Sequence, residues 1–168
     1  MKSVIIRTPT LKDENAFLAM VHTSDSLHHP WVKPPDEHDA FVEYIQRTQQ
    51  DNQKSFLVCA SQGDIIGVFN ISEIVRGCFQ SAYLGFYAAI KQAGKGLMSQ
   101  GLRLVLKEAF TNMELHRLEA NIQPENTASL NFVKKNGFRK EGLSKRYLKI
   151  NHEWRDHERW AITVEDWL

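Results

Sequence analysis

The chain has 168 residues, 42% of them hydrophobic, which suits one domain with its own core spanning residues 1–168. Its 21 basic and 20 acidic residues leave a net charge of +1, so neither a broad nucleic-acid surface nor binding to an anionic membrane is expected. No apolar run approaches the ~20 residues that cross a bilayer, and no signal peptide precedes the first predicted strand. These features predict a soluble, cytoplasmic protein.

The amino-terminal part predicts one strand and two helices. A short strand covers Val4–Arg7, and a helix follows from Leu11 to about Val21. Residues 24–37 are polar and rich in His and Pro, which indicates a loop. A second helix is expected from His38 to about Gln49.

After this helix the apolar period changes from that of a helix to that of a strand. Ser55–Ala60, Ile65–Val75 and Gln80–Ile90 are predicted strands, and short turns containing glycine separate them. Three such strands in succession favour an antiparallel meander.

The carboxy-terminal half alternates helices and strands. The predicted elements are a helix from Leu97 to about Asn112, a strand His116–Ile122, a helix from Pro124 to about Lys135, and strands Phe138–Ile150 and Glu153–Val164. Residues 151–152 are expected to form a tight hairpin turn. The whole order predicts an α/β (α+β) fold, with a mixed, mostly antiparallel sheet of about seven strands and about four helices on its two sides.

Cysteines and histidines give no sign of a metal site. Cys59 and Cys78 lie in apolar, strand-like sequence and form no C-x-x-C pair, so we expect both to be reduced core residues. The seven histidines lack the spacing of a zinc site. No metal is therefore expected.

The segment Lys91–Leu97, with the sequence KQAGKGL, lies between an apolar strand and a helix. Two glycines let successive N–H groups turn toward one point, and the first turn of the helix adds its own unpaired donors. This arrangement predicts a binding site for a phosphate. Gly96 stands where a nucleotide P-loop needs a hydroxyl, which excludes that motif. A plain strand-to-helix turn is the alternative.

Three motifs resemble the GCN5-related N-acetyltransferase (GNAT) superfamily. They are Lys91–Gly96, similar to [QR]-x-x-G-x-[GA], then Asn126–Ser129, similar to N-x-x-[AS], and Gly137–Phe138 at the end of that helix. Lys91 departs from the family, which has Arg or Gln there. The resemblance implies a sheet that splays open between its fourth and fifth strands, and acetyl-CoA as the co-substrate.

Further segments resemble the ribosomal-protein-alanine N-acetyltransferases of the RimJ and RimL type. These segments are Phe69–Phe79, Tyr83–Phe86, Gly94–Met98, His116–Arg117, Trp154–His157 and Asp166–Trp167. The resemblance implies transfer of an acetyl group to the α-amine of a protein N-terminus, such as that of a ribosomal protein.

The same resemblance implies which residues bind the cofactor. The edge of the fourth strand would pair with the pantetheine arm, the glycine loop would hold the pyrophosphate, and the start of a later helix would contact the cofactor from the other side. The residues concerned are Phe86, Tyr87, Ala88, Ala89, Lys91, Gln92, Ala93, Gly94, Lys95, Gly96, Leu97, Asn126 and Ser129. Asn126 and Ser129 also fit a simple helix cap.

Two common catalytic positions of the family are vacant in this chain. Val133 stands where many relatives have a tyrosine acid, and Leu84 stands where many have a glutamate. The resemblance therefore implies Ser129 as the group that assists the departing thiolate. Glu119 and His116 are candidates to draw the proton from the amine through water, and a purely structural role is the alternative for both.

The acceptor is expected to contact the early helices and the final hairpin. Trp31, Tyr87 and Trp154 could form an apolar wall, with Asp36, Glu37 or Asp156 attracting the cationic amine. Alternatively, Trp154 belongs to the core, and Arg155 and Asp156 form an internal ion pair.

Two other functions stay open at this point. One is acetylation of a small amine, such as a polyamine, an aminoglycoside or an amino-acid-like compound, on the same scaffold. The other is a non-catalytic module that binds acyl-CoA. The sequence also leaves open whether the chain forms a homodimer.

Overall fold

The computed structural model describes residues 3–167, which form a seven-stranded sheet in the order β1-β2-β3-β4-β5-β7-β6. The strands are β1 (Val4–Arg7), β2 (Lys54–Ala60), β3 (Ile65–Val75), β4 (Ser81–Ala88), β5 (Arg117–Ile122), β6 (Arg139–Ile150) and β7 (Glu153–Thr163). Only β4 and β5 pair in parallel, and the other neighbours are antiparallel. The predicted mixed, mostly antiparallel sheet is confirmed.

Four helices of nine or more residues flank the sheet, together with two of four residues. They are α1 (Glu14–Thr23), α2 (Asp25–His28), α3 (His38–Arg47), α4 (Leu97–Phe110), α5 (Thr127–Lys135) and α6 (Val164–Trp167). The short helix α2 lies in the segment predicted to be a loop, and α6 begins at the end of the last predicted strand. Within the described residues, none of the helices combines the length and apolar character needed to cross a bilayer.

Helices on both faces explain why the central strands are apolar on both sides. On one face, α1 and α3 bury Phe17 and Phe41 against β2 and β3. On the other face, α4 buries Leu102 and Val105 against the same strands and β5. β3 therefore starts with five successive buried residues, Ile65–Phe69, where a strand with one solvated face would alternate.

The sheet opens between β4 and β5. Their pairing covers only Ser81–Tyr83 of β4 and Arg117–Glu119 of β5, although β4 continues to Ala88 and β5 to Ile122. β5 meanwhile pairs with β7 along its whole length, so it diverges from β4 and not from β7. The expected splay is present, and it leaves the second half of β4 without a neighbour on that side.

The β6–β7 hairpin reaches back over the opening. Its turn consists of Asn151 and His152, both with positive φ (49° and 68°), as a two-residue hairpin of the primed type requires. The Asn151 side-chain amide donates to the Pro30 carbonyl at 3.4 Å and so links the hairpin to the loop after α2. The turn was predicted from the sequence at this position.

One prediction about the core is wrong. Cys59 is buried in β2, but Cys78 is exposed in the connection between β3 and β4. The apolar letters around Cys78 include Val75 and Phe79, which are themselves 51% and 66% exposed. Local hydrophobicity was misleading here because this hairpin extends beyond the helices that cover the sheet.

Candidate functional site

A cleft of about 580 Å³ lies where β4 and β5 separate. β4 supplies one lip through residues 84–88, and β5 with its following loop supplies the other through residues 121–123. The start of α4, the start of α5, α2 and the β6–β7 hairpin close the remaining sides.

The glycine loop forms one end of this cleft. Gly94 and Gly96 both have left-handed backbone conformations (φ of 75° and 74°), and Gly96 directly precedes α4. The N–H groups in the first turn of α4 have no partner within the helix, and the positive end of its dipole lies at the same place. The backbone conformation that the predicted anion cradle requires is therefore present. The Lys95 ammonium folds back onto the Lys91 carbonyl at 2.5 Å and is not part of the cleft lining.

Helix α2 fixes the end of β4 from the opposite side. The Ser24 hydroxyl accepts a hydrogen bond from the Ile90 amide at 3.0 Å. Nε2 of His28 lies 2.7 Å from the Ala88 carbonyl oxygen and donates to it. Both side chains are almost fully buried, although they come from a segment that looked like a polar loop.

The start of α5 faces the glycine loop across the cleft. The Asn126 side chain caps α5 by accepting the Ser129 amide at 3.3 Å, and both side chains line the cleft. The helix-cap interpretation is correct, and it leaves the Ser129 hydroxyl available. Val133, one turn further, is fully buried and cannot act in the cleft.

Several buried polar atoms of the lining have no hydrogen-bond partner among the described residues. They are Nδ1 of His28, Oη of Tyr87, Oδ1 of Asn121 and Nε2 of Gln123. Leaving such an atom unpaired costs about 1–3 kcal/mol, so native structures usually pair it with protein, water or ligand. These atoms show that polar side chains are enclosed in the walls of the cleft.

A second cavity of about 440 Å³ adjoins the cleft beneath the β6–β7 hairpin. Trp31 and Trp154 provide its aromatic lining, and Glu125 and Asp156 provide its carboxylates. Trp154 is 60% exposed and so does not belong to the core.

The alternative interpretation, an Arg155–Asp156 ion pair, is not found among the described residues. Arg155 contacts Glu153, while the Asp156 carboxylate lies 3.3 Å from Lys145 and accepts the Arg146 amide at 2.8 Å. The Arg146 amide is the main cause that lowers the pKa of Asp156. Asp156 therefore keeps its negative charge at the mouth of the second cavity.

The structure does not bring Glu119 and His116 to the cleft. Glu119 is the last β5 residue still paired with β4, and its carboxylate contacts Arg117 at 3.1 Å. His116 precedes β5 and contacts Glu165 at 2.9 Å on the surface. β4 and β5 separate toward their carboxyl ends, so residues at the start of β5 lie away from the opening.

Most of the predicted cofactor residues border the cleft, with a few exceptions. Phe86, Tyr87, Ala88, Gln92 and Ala93 line it with the two glycines, Asn126 and Ser129. Ala89 instead donates its amide to Ile66 on β3, and the side chain of Leu97 is in the core. Lys91 is exposed beside the loop.

The sequence analysis missed His28, Asn121, Gln123 and His157. His157 lines the cleft from β7 and is 3% exposed. One signal was available for His157, which lies at the centre of the charged run Arg155–Arg159. Successive residues of a strand point to opposite faces of the sheet, so part of such a run can face a covered site. No sequence feature separates the buried His28 from the exposed His29 beside it.

Comparisons with known proteins identify the family. Residues 3–139 match the family described as Acetyltransferase (GNAT) domain. The protein named Probable N-acetyltransferase YjcK from Bacillus subtilis is 38% identical over 126 residues, which cover 74% of this chain and 70% of that protein. The ribosomal protein uS5-alanine N-acetyltransferase of Escherichia coli is 42% identical over 104 residues, which cover 62% of this chain and 54% of that enzyme.

A solved structure agrees with the fold along the whole chain. Mycobacterium smegmatis RimJ in complex with CoA-disulfide superposes with a TM-score of 0.87 at 28% identity, covering 97% of this chain and 83% of that one. The chain therefore belongs to the GNAT acetyltransferase family. It is an N-acetyltransferase, and its relatives include ribosomal-protein-alanine N-acetyltransferases, as the sequence resemblance implied.

Proposed function

We propose that this enzyme transfers the acetyl group of acetyl-CoA to the α-amine of a protein N-terminus, such as that of a ribosomal protein. The observation that carries the proposal is the continuity of two unlike cavities. A backbone-lined cleft ends at an anion cradle, and an aromatic cavity with two carboxylates opens beside it.

The donor side of the cleft, defined as β4 residues 84–88, loop residues 92–96 and the starts of α4 and α5, suits a CoA thioester. The amides of the glycine loop and of the first turn of α4 would hold the pyrophosphate. In an antiparallel pair, alternate residues direct their N–H and C=O groups to opposite sides. The Ala89 amide bonds to β3, so by this alternation the N–H and C=O groups of Leu84 and Phe86 point away from β3 and toward the cleft. The pantetheine amides would pair with these groups.

The acceptor side, defined as Trp31, Asn121, Gln123, Glu125 and residues 154–157, suits a peptide with a free amine. The carboxylates of Glu125 and Asp156 attract the cation, and the tryptophans flank an extended chain. Among the described residues, two acids and Arg155 line this cavity, which favours a single amine over a polyamine. The α-amine also has a reference pKa near 8, compared with ~10.4 for a lysine side chain, so its proton is easier to remove.

The test is an acetylation assay on matched peptides that begin with Ala, Ser or Met and carry one internal lysine. Each peptide is used with a free and with a formylated α-amine, and spermidine serves as a small-amine comparison. Release of CoA thiol is measured against an enzyme-only blank, because Cys78 is exposed and reacts with thiol reagents. Mass spectrometry locates the acetyl group.

We expect turnover of the free peptides, with the acetyl group on the α-amine. Equal turnover of a formylated peptide would contradict the proposed substrate class, because its only amine is the lysine side chain. Turnover of spermidine with no turnover of peptides would favour a small-amine acceptor instead.

A further inference from the structure

The ammonium group of the acceptor must give its proton to a basic group before the amine can attack the thioester. No carboxylate among the described residues lines the cleft to take that proton. Near neutral pH most of an α-amine is protonated, and an ammonium has no lone pair with which to attack a carbonyl carbon. Apart from Lys135, the titratable side chains of the lining are Tyr87, His28 and His157.

We propose that Nε2 of His157 accepts the proton of the acceptor ammonium and so acts as the general base. This inference rests on the amine-acetylating function proposed above. It replaces Glu119 and His116, which the fold places elsewhere.

The tautomer of His157 is fixed by the backbone. Its Nδ1 lies 2.9 Å from the Arg155 carbonyl oxygen, which only accepts, so Nδ1 carries a hydrogen. In the neutral ring the lone pair is then on Nε2, for which the described residues provide no partner. A histidine held in this way is oriented to take a proton from a group in the cleft.

The surroundings keep this imidazole neutral. Burial is the main cause that lowers the pKa of His157 below its ordinary value, and the hydrogen bond to the Arg155 carbonyl, Asp156 and Glu125 oppose this only in part. From β6, Tyr147 packs edge-on with its ring centre 6.4 Å away. Its hydrogen bond with Tyr83 raises the pKa of Tyr147 to about 12, so it adds no charge near neutral pH.

His28 is less suited to this role. Its Nε2 donates to the Ala88 carbonyl, and its other nitrogen, Nδ1, is buried against the protein with no access to solvent. His157, in contrast, lines the cleft from β7, and its Nε2 forms no hydrogen bond among the described residues.

The chemistry balances as follows. The ammonium gives one proton to Nε2 of His157, and the freed lone pair forms the C–N bond at the thioester carbonyl carbon. The C–S bond breaks, and sulfur leaves with its electron pair. A second proton from the nitrogen goes to that sulfur, giving an amide and a thiol, and His157 then releases its proton to water.

The test measures the single-turnover rate against pH, with acetyl-CoA saturating and with the amine that the peptide panel identifies. In the wild type we expect the rate to fall as pH drops through the pKa of His157, because the protonated ring cannot accept another proton. In His157→Gln we expect this acid limb to move up toward ~8, the pKa of the amine itself. At pH 7 the rate should fall about tenfold, because only about a tenth of an amine with a pKa near 8 is unprotonated there.

Two other histidine variants and one spectroscopic measurement decide the assignment. His116→Gln, on the surface, should leave the limb unchanged. A limb that stays in place in His157→Gln, or that moves in His28→Gln, overturns the proposal. An NMR titration of His157 in the CoA-bound wild type must give the pKa of the limb, and this readout remains decisive if the Gln variant folds poorly. Wild-type failure on every peptide would instead refute the proposed function.

Discussion

The donor and acceptor sides of the cleft differ in which part of the polypeptide builds them. On the donor side, main-chain groups of β4, the glycine loop and α4 face the cleft, and the two glycines are needed for their conformation. On the acceptor side, side chains of Trp31, Trp154, Asp156 and His157 face it. A backbone-built site tolerates sequence change as long as its glycines remain, whereas a side-chain site changes with each substitution. Members of one family can therefore keep the same donor substrate while their acceptor substrates differ.

The largest effect is expected at Gly85, a residue of the donor side that lines the cleft. A Cβ added there meets no atom within 4 Å, because this face of β4 is open to the cleft. Gly85→Val should therefore fold normally, since β-branched residues suit strands. Its side chain would occupy the space of the reacting groups, and we expect kcat/KM to fall about 100-fold, since small misplacements have effects of that size.

The control for Gly85→Val is Ser81→Val on the same strand, where β4 still pairs with β5. It should retain activity, and thermal unfolding should show both variants folded. Near-normal turnover of Gly85→Val would mean that the reaction does not take place beside Gly85.

A smaller loss is expected for Ser129→Ala on the donor side. The Ser129 hydroxyl lines the cleft, and we propose that it hydrogen-bonds the departing sulfur. A hydrogen bond to a charged group contributes about 1.5–3 kcal/mol, so we expect kcat to fall about 30-fold at saturating acetyl-CoA. The cap is unaffected because it uses the Ser129 amide. Unchanged kcat would remove the hydroxyl from the mechanism.

The donor side was predictable from the sequence because its signals are local. Two glycines between a strand and a helix require positive φ at Gly94 and Gly96, and this conformation is present. The hairpin turn at Asn151 and His152 was predicted for the same kind of reason. Such features depend on a few neighbouring residues and on no distant contact.

The acceptor side was only partly predictable because it depends on tertiary contacts. The four residues of α2 are too few to show a helical period, and the helix is tied to the end of β4 through Ser24 and His28. Trp31, Trp154 and Asp156 were expected to be near the acceptor, and the structure places them around one cavity. His116 was chosen for its position beside β5, but the direction in which β5 diverges puts it at the wrong end.

A variant of the cradle separates donor binding from chemistry. Gly96→Ala places a side chain at φ 74°, a left-handed conformation that costs about 1–2 kcal/mol and shifts the loop amides. We expect affinity for CoA to fall about tenfold by calorimetry, since 1.4 kcal/mol corresponds to a factor of ten. The KM of the peptide should change little.

Gly63→Ala is the matched control for this variant. Gly63 also has a positive φ (94°) and open space around it, but it lies in the turn between β2 and β3. Both variants should lose similar stability, and only Gly96→Ala should lose affinity for CoA. Equal affinities would show that the loop amides contribute little to binding.

The smallest effect is expected on the acceptor side, from Trp154→Ala. Trp154 is 60% exposed beside the second cavity, so its removal should leave the unfolding temperature unchanged. An aromatic contact contributes roughly 0.5–1.5 kcal/mol, which predicts about a fivefold rise in the KM of the peptide with little change in kcat or in CoA affinity. Phe79→Ala is the control, because Phe79 is 66% exposed in the β3–β4 connection and does not line either cavity. If Trp154→Ala raised the KM of acetyl-CoA as well, the two sides would not be separate binding surfaces, because a side chain assigned to the acceptor would then contribute to donor binding.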